Sequence, residues 1–217
     1  MPSTTTVAGI SVPTSDLARE ADALSRAALP PQIYAHCLRT YYFSELVAKA
    51  QGTAHDQELV FVASILHDVG LSQKHMSDHN RFEVDGALAA RELLKKHGVS
   101  HASSELVWDA ITLHDSTGLA KWKAPEVVLV NAGVNTDFGG YQDILKHSDI
   151  LEVLQHVPRT GFIDAFLPAV AAVAKRKPNA TGNCFVVDVG NRLVEGFHLP
   201  NFCDAVRDDP FADLTKA

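Results

Sequence analysis

The residues best suited to chemistry are an adjacent histidine and aspartate, His67 and Asp68, which end an apolar run just before Gly70. At the end of a helix, the two side chains can reach one cation lying beyond that end. Burying them without a partner charge is costly, and imidazole and carboxylate are good ligands for Zn²⁺, Fe²⁺ or Mn²⁺. The pair therefore predicts a divalent metal site. Taken alone, it is equally typical of a surface His-Asp dipeptide at a helix C-terminus.

Three other polar residues occupy the inward side of apolar helical stripes. His36 lies on such a stripe earlier in the chain, and His114 and Asp137 each end one later in the chain. A lone inward histidine is more often a hydrogen-bonded core residue, but a buried aspartate with no partner is rare. Several polar groups at the inward ends of separate helices favour one shared site over chance.

The elements that must position these residues are helices. Apolar residues recur at helical spacing, and Gly, Pro and Ser residues mark the boundaries between segments. Residues 1–13 are interpreted as a loose leader, and the tail from 179 as a short helix or a strand. The pattern predicts an all-α fold, a single helical bundle spanning 1–217 with its core at about 31–180. The predicted helices cover about 15–28, 31–51, 56–69, 82–97, 100–114, 125–137, 143–156 and 161–176.

The composition of the chain limits the classes of partner that it can be expected to bind. With 217 residues and 46% hydrophobic content, the chain is long enough for one domain with its own core. A net charge of −7 disfavours nucleic acid, because affinity for a phosphate backbone comes from Lys and Arg. The sequence contains no apolar run of about 20 residues, so we predict no membrane-spanning segment. The three irregularly spaced cysteines favour a reducing, cytoplasmic setting. We expect a small-molecule substrate, with a homo-oligomer possible through apolar segments such as 166–174.

The order His36, His67-Asp68, Asp137 resembles the H…HD…D signature of the HD-domain superfamily. The segment Ile65–Gly70 has the form typical of that family, an apolar helix ending in His-Asp-x-Gly. This resemblance covers about residues 31–140. It implies a helical bundle in which His36, His67, Asp68 and Asp137 hold a divalent metal.

Three segments further resemble the fungal cyanamide hydratase group: His36–Phe43, Val134–Gly140 and the pair Lys177-Pro178. This narrower resemblance extends to about residue 180. It implies a single metal, usually Zn²⁺ with Fe²⁺ as the other candidate, and a lyase that adds water to the nitrile carbon of cyanamide or a similar small molecule. The product would be urea or an amide.

In such a reaction, the cation lowers the pKa of a bound water towards roughly 7, so that it can attack the nitrile carbon. A proton must then reach the nitrile nitrogen. His114 is the first candidate to carry it, and Asp68 the second. Ser116 and Thr117 follow His114 and are candidate contacts for the substrate, although ordinary loop polarity also explains them.

The alternative is an HD-type phosphohydrolase acting on a nucleotide or a small phosphomonoester. Many such enzymes place a lysine soon after the His-Asp segment, where this chain has Leu71. No clustered basic pocket for phosphates is evident, which favours the hydratase. Glu83 and Asp85 precede Gly86 where some dinuclear members have a histidine, so one metal is favoured over two. A di-iron oxygenase would need more histidine ligands, and a non-catalytic module would not need the full ligand set.

Overall fold

The described part of the chain is almost entirely helical, which confirms the all-α prediction. A computed structural model describes residues 6–182, 184–199, 201 and 203. Within those residues it contains ten α-helices, two short 3-10 helices and one two-stranded hairpin. The α-helices are α1 (Asp16–Ala28), α2 (Pro31–Gln51), α3 (Gln57–Leu66), α4 (Phe82–Lys96), α5 (His101–Thr112), α6 (Thr117–Ala120), α7 (Pro125–Asp137), α8 (His147–His156), α9 (Phe162–Arg176) and α10 (Val186–Leu193).

Local capping chemistry sets several of these boundaries. The Ser15 hydroxyl accepts a hydrogen bond from the backbone N–H of Ala18 at the start of α1. The Asp56 carboxylate accepts two backbone N–H groups at the start of α3. Gly52 ends α2 in the left-handed region, with φ of 66°. Helix α3 ends at Leu66, earlier than predicted, because the chain tightens into a 3-10 turn at Val69–Leu71.

Helix α2 is the centre of the bundle and packs against α3, α7, α8 and α9. It approaches α7 most closely at Gly133, where a Cβ atom would overlap the Ser44 hydroxyl and the Thr40 carbonyl oxygen. Glycine at this position lets the two helix backbones meet. The close approach brings His36, near the start of α2, beside Asp137 at the end of α7.

Residues 6–11 differ from the predicted loose leader. They form an antiparallel hairpin of β1 (Thr6–Val7) and β2 (Ile10–Ser11). Both turn residues have positive φ, 51° at Ala8 and 76° at Gly9, as a tight hairpin turn requires. Val7 and Ile10 are buried, so packing holds a segment that the sequence pattern alone leaves free. Residues 1–5 of that leader lie outside the described residues.

The described part of the tail contains a 3-10 turn at Pro178–Ala180 and helix α10, which packs on α9. A buried ion pair ties this region to α4, with Lys177 Nζ 2.5 Å from Asp85 Oδ2. Residues 183, 200, 202 and 204–217 of the predicted tail lie outside the described residues. Over the described ranges, no helix has both the length and the apolar content needed to cross a membrane.

Candidate metal centre

Three side chains from two helices converge in the middle of the bundle. His36 comes from the first turns of α2, and His67 and Asp68 follow the last turn of α3. The Nε2 atoms of the two histidines are 3.3 Å apart. Asp68 Oδ2 lies 3.4 Å from Nε2 of His67 and 3.8 Å from Nε2 of His36. All three residues are buried, so the predicted convergence of these positions is observed.

These distances fit the coordination shell of a small divalent cation. Nitrogen and oxygen ligands at about 2.0–2.1 Å in a tetrahedron lie roughly 3.3–3.5 Å from one another. The triangle of His36 Nε2, His67 Nε2 and Asp68 Oδ2 has edges of that size, with one slightly longer. The donor set of two imidazoles and a carboxylate suits Zn²⁺ or Fe²⁺.

Asp68 Oδ2 also lacks a protein partner. It is a buried carboxylate oxygen that accepts no hydrogen bond from any residue the structure describes. Buried polar atoms are nearly always satisfied, because an unsatisfied one costs free energy. A cation held by the three donors would satisfy this oxygen, so the residues present fit a metal.

Hydrogen bonds on the far side of two rings fix their orientation. His67 Nδ1 is 2.7 Å from the carbonyl oxygen of Ser64, and His114 Nδ1 is 2.7 Å from that of Ile111. Because each Nδ1–H donates to a carbonyl, each Nε2 is left facing the centre. Carbonyl or carboxylate acceptors commonly hold metal-binding histidines in this way.

His114 lies beside the donor triangle rather than within it. Its Nε2 is 4.0 Å from Asp68 Oδ1, and its ring packs edge-on against that of His67. This geometry leaves His114 beside the predicted substrate space. Its assignment as a proton carrier stays a prediction.

Burial and neighbouring charges shift the pKa values of these groups in different directions. Burial lowers the pKa of His36, and burial together with the neighbouring His67 lowers that of His114 to about 4. Burial would also lower the pKa of His67, but the Asp68 carboxylate and the Cys37 thiol raise it well above the usual value. Burial opposes ionisation of Asp68, yet the charges of the histidines hold its pKa below the usual range.

The structure places Asp137 behind His36. Its Oδ2 is 2.6 Å from His36 Nδ1, and Arg39 binds both carboxylate oxygens at 2.8 Å. Arg159 adds a further contact to Oδ1 at 2.7 Å. In this arrangement Asp137 orients the His36 ring, as carboxylates do behind metal-bound histidines. Its predicted role as a direct ligand stays a prediction.

Arg39 is the main residue of the site that the sequence interpretation did not single out. It is fully buried and lies one helical turn after His36. An arginine on the inward side of a helix indicates a buried ion pair, because a buried guanidinium requires a carboxylate partner. The sequence does not say which carboxylate; the fold supplies Asp137.

A cavity of about 370 Å³ opens beside the donor atoms. His36, His67, Asp68 and His114 line one side of it. Apolar side chains from α7, α9 and α10 line the rest, among them Phe138, Phe166 and Phe185. None of the described residues that line it is Lys or Arg.

Ser116 and Thr117 lie outside that lining. They border a neighbouring depression, together with Asp115 and Cys184. Thr117 accepts a hydrogen bond from Asn135, which does line the central cavity. The contact of Ser116 and Thr117 with substrate stays a prediction. In this region the polar side chains that line the central cavity are Asn135 and Asp115.

Glu83, Asp115 and Cys184 form a second group with metal-ligand chemistry. Arg81 already contacts both carboxylates, at Glu83 Oε1 and at Asp115 Oδ2. Burial raises the pKa of the Cys184 thiol to about 11, which disfavours the thiolate that a metal needs. The guanidinium therefore serves as the cation of this group.

Comparison with known proteins gives one family match and two relatives. A family model described as the HD domain matches residues 33–154, which include both histidines and both aspartates of the predicted ligand set. Two proteins of Saccharomyces cerevisiae, cyanamide hydratase DDI2 and cyanamide hydratase DDI3, are each 26% identical to this chain over 171 residues. The aligned part is 76% of this chain and 76% of each relative.

Proposed function

Because this chain belongs to the HD domain family of metal-dependent enzymes, we propose that it is a hydratase that adds water to the nitrile carbon of cyanamide or a similar small molecule. The product is urea or the corresponding amide. The observation that carries the proposal is the convergence of His36, His67 and Asp68 at one side of a mostly apolar cavity. The likeness to the yeast cyanamide hydratases supports this choice of reaction.

In this proposal His36 Nε2, His67 Nε2 and Asp68 Oδ2 hold one divalent cation, Zn²⁺ first and Fe²⁺ second. Asp137 either orients His36 or gives up part of its present bonding to become a fourth ligand. When bound, the cation would supply Lewis acidity that lowers the pKa of a water molecule and polarises a nitrile.

Proton transfer falls to Asp68 and His114. Hydration requires the attacking water to lose a proton and the nitrile nitrogen to gain one. Asp68 Oδ1 and His114 Nε2 are 4.0 Å apart at the edge of the cavity, so that a small substrate lying in the cavity beside them is within reach of both. Since His114 Nδ1 is engaged with the Ile111 carbonyl, its Nε2 is the atom that accepts and returns the proton.

The lining of the cavity disfavours the phosphohydrolase alternative. A phosphate group is usually held by Arg or Lys side chains or by helix N-termini, and none of the described lining residues is Lys or Arg. The nearby arginines are committed elsewhere: Arg39 to Asp137, and Arg81 to Glu83 and Asp115. A nucleotide would therefore meet no lysine or arginine among the described lining residues to bind its phosphates.

The direct test measures urea released from cyanamide by purified protein after metal removal and reloading with Zn²⁺ or Fe²⁺. We expect urea formation with stoichiometric metal and no phosphate release from a panel of nucleotides. The matched control is Asp78→Asn, a change at an exposed carboxylate paired with Arg176 far from the cavity. Phosphate release without urea formation would replace this proposal with the phosphohydrolase.

We further propose that the protein acts in the cytoplasm on a small-molecule substrate, without nucleic acid or membrane as a partner. The acidic net charge of −7 and the absence of a membrane-crossing helix in the described ranges support this. A homo-oligomer stays a prediction, testable by light scattering of the purified protein.

A further inference from the structure

The cavity is much larger than cyanamide requires. Its volume is about 370 Å³, within the range of roughly 300–1,000 Å³ typical of pockets that bind drug-sized ligands. Cyanamide has only three heavy atoms, so it would leave most of this space to water. Water against an apolar wall is unfavourable, and an apolar group of a ligand gains free energy by replacing it.

The wall opposite the donor atoms is apolar. It is formed by the end of α7 and by α9 and α10, through Phe138, Ile163, Phe166, Leu167, Phe185 and Val189. Phe166 and Phe185 stack with their ring planes 18° apart. Phe138 packs edge-on against the His36 ring at 5.5 Å between centroids, so the apolar surface continues up to the donor atoms.

The remaining polar side chains of the lining are already engaged. Asn135 donates to the Asn131 carbonyl at 2.7 Å and to Thr117 Oγ1 at 3.1 Å. Asp115 accepts from Ser116 Oγ at 3.1 Å and contacts Arg81. These groups offer little for a second polar end of a ligand, so polar recognition is concentrated at the donor atoms and His114.

We propose that the substrate is a nitrile or cyanamide bearing an apolar group of about the size of a phenyl ring or a branched alkyl chain. This inference rests on the proposed hydration. The –C≡N group faces His67, Asp68 and His114, while the apolar group lies between Phe138, Ile163, Phe166 and Phe185. Water adds across the C≡N bond: its oxygen bonds to carbon and both its hydrogens end on the former nitrile nitrogen. A cyanamide R–NH–C≡N then gives R–NH–CO–NH₂, and a nitrile R–C≡N gives R–CO–NH₂.

The test compares cyanamide with N-benzylcyanamide, whose products are urea and N-benzylurea. We expect kcat/KM for the benzyl compound to exceed that for cyanamide by about tenfold or more, because ring burial adds binding that cyanamide cannot make. Equal or lower kcat/KM for N-benzylcyanamide overturns the inference and leaves the proposed hydration standing.

A matched pair of variants locates the apolar group. Ile163 lines the cavity and is 46% exposed, while Ile144 is 41% exposed and does not line it. We expect Ile163→Ser to reduce the benzyl-to-cyanamide ratio of kcat/KM by about three- to tenfold. Ile144→Ser serves as the control, with an unchanged ratio. An unchanged ratio in Ile163→Ser overturns the assignment of this wall.

Binding separates the two proposals if neither compound is hydrated. In that case the hydratase fails, and titration calorimetry of the metal-loaded protein with N-benzylurea and with urea decides the inference by itself. Binding of N-benzylurea at least about tenfold tighter than urea supports an apolar ligand. Equal binding, or no binding of either compound, overturns it.

Discussion

Two of the groups of buried charges that the structure describes differ in whether the chain completes their bonding. Lys177 and Asp85 form one group: their side chains are 0% and 2% exposed, and Asp85 also accepts from the Ser77 backbone N–H at 2.9 Å. His36, His67 and Asp68 form the other, equally buried group, but there Asp68 Oδ2 has no hydrogen-bond partner among the described residues.

The difference separates architecture from function. A buried ion pair that is satisfied within the chain holds α4 to the C-terminal segment, and nothing further is needed from outside. A buried carboxylate oxygen that has no hydrogen-bond partner among the described residues and lies beside two inward-facing imidazole nitrogens is suited to bind a cation. Burial is common to both groups, and the second is distinguished by an unsatisfied carboxylate oxygen that lies beside two imidazole nitrogens.

Removing a metal-donor side chain should have the largest effect, on both metal content and activity. We expect His67→Ala and Asp68→Asn each to abolish stoichiometric metal binding and to reduce hydration by at least about 10³-fold, since both the cation and the proton path are lost. Elemental analysis of the purified variants, with circular dichroism to confirm folding, makes the measurement. Full metal content in either variant would contradict the donor assignment.

Breaking the complete pair should affect stability and spare the metal. Lys177→Met leaves Asp85 buried without its counter-charge, which should lower the free energy of unfolding by about 3–5 kcal/mol. Urea unfolding of the metal-free protein measures it. We expect the folded variant to retain one metal per chain. The matched control is Lys175→Met, at an exposed residue of the same helical region, with a change below about 0.5 kcal/mol.

Asp137→Asn tests an intermediate case. Asp137 lies beside the metal-donor residues, but its carboxylate is already bonded to His36 and Arg39. If it orients His36, its loss should weaken metal affinity by about 10–100-fold and leave stoichiometric binding at high metal. Competition with a chromogenic chelator measures the affinity. Complete loss of metal, as in His67→Ala, would instead establish Asp137 as a ligand.

Lowering the pH should reduce the contribution of the Lys177–Asp85 pair to the free energy of unfolding gradually, and this effect should be smaller than those above. Burial opposes ionisation of Asp85, but Lys177 and Ser77 lower its pKa below the usual value. Its contribution is therefore present above the unfolded pKa of about 4 and is lost as pH falls through the lower folded pKa. The stability difference between wild type and Asp85→Asn should stay constant from about pH 7 to pH 5 and shrink below about pH 4.

The sequence predicted the helices and the positions that converge, because helical periodicity, caps and stop signals are local. Pro31 and Gly52 bound α2 as expected, and His36 and His67 face each other. The choice among long-range partners was not predictable. No local pattern pairs Arg39 with Asp137. Likewise, no local pattern places Phe185 in the lining of the same cavity as His67, which lies more than a hundred residues earlier in the chain. The hairpin at 6–11 was missed because its turn uses Ala8 at positive φ.

The carbonyl groups at the ends of α3 and α5 have a consequence for how the centre is loaded. The last turns of a helix leave carbonyl oxygens without intrahelical donors, and here Ser64 and Ile111 each use one to anchor an imidazole. The anchoring holds Nδ1 of both rings against the helix ends, so that Nε2 of each ring already points inward. Capture of an ion then requires deprotonation but no ring flip, so that uptake is governed by solvent access and acidity rather than by rearrangement of the protein.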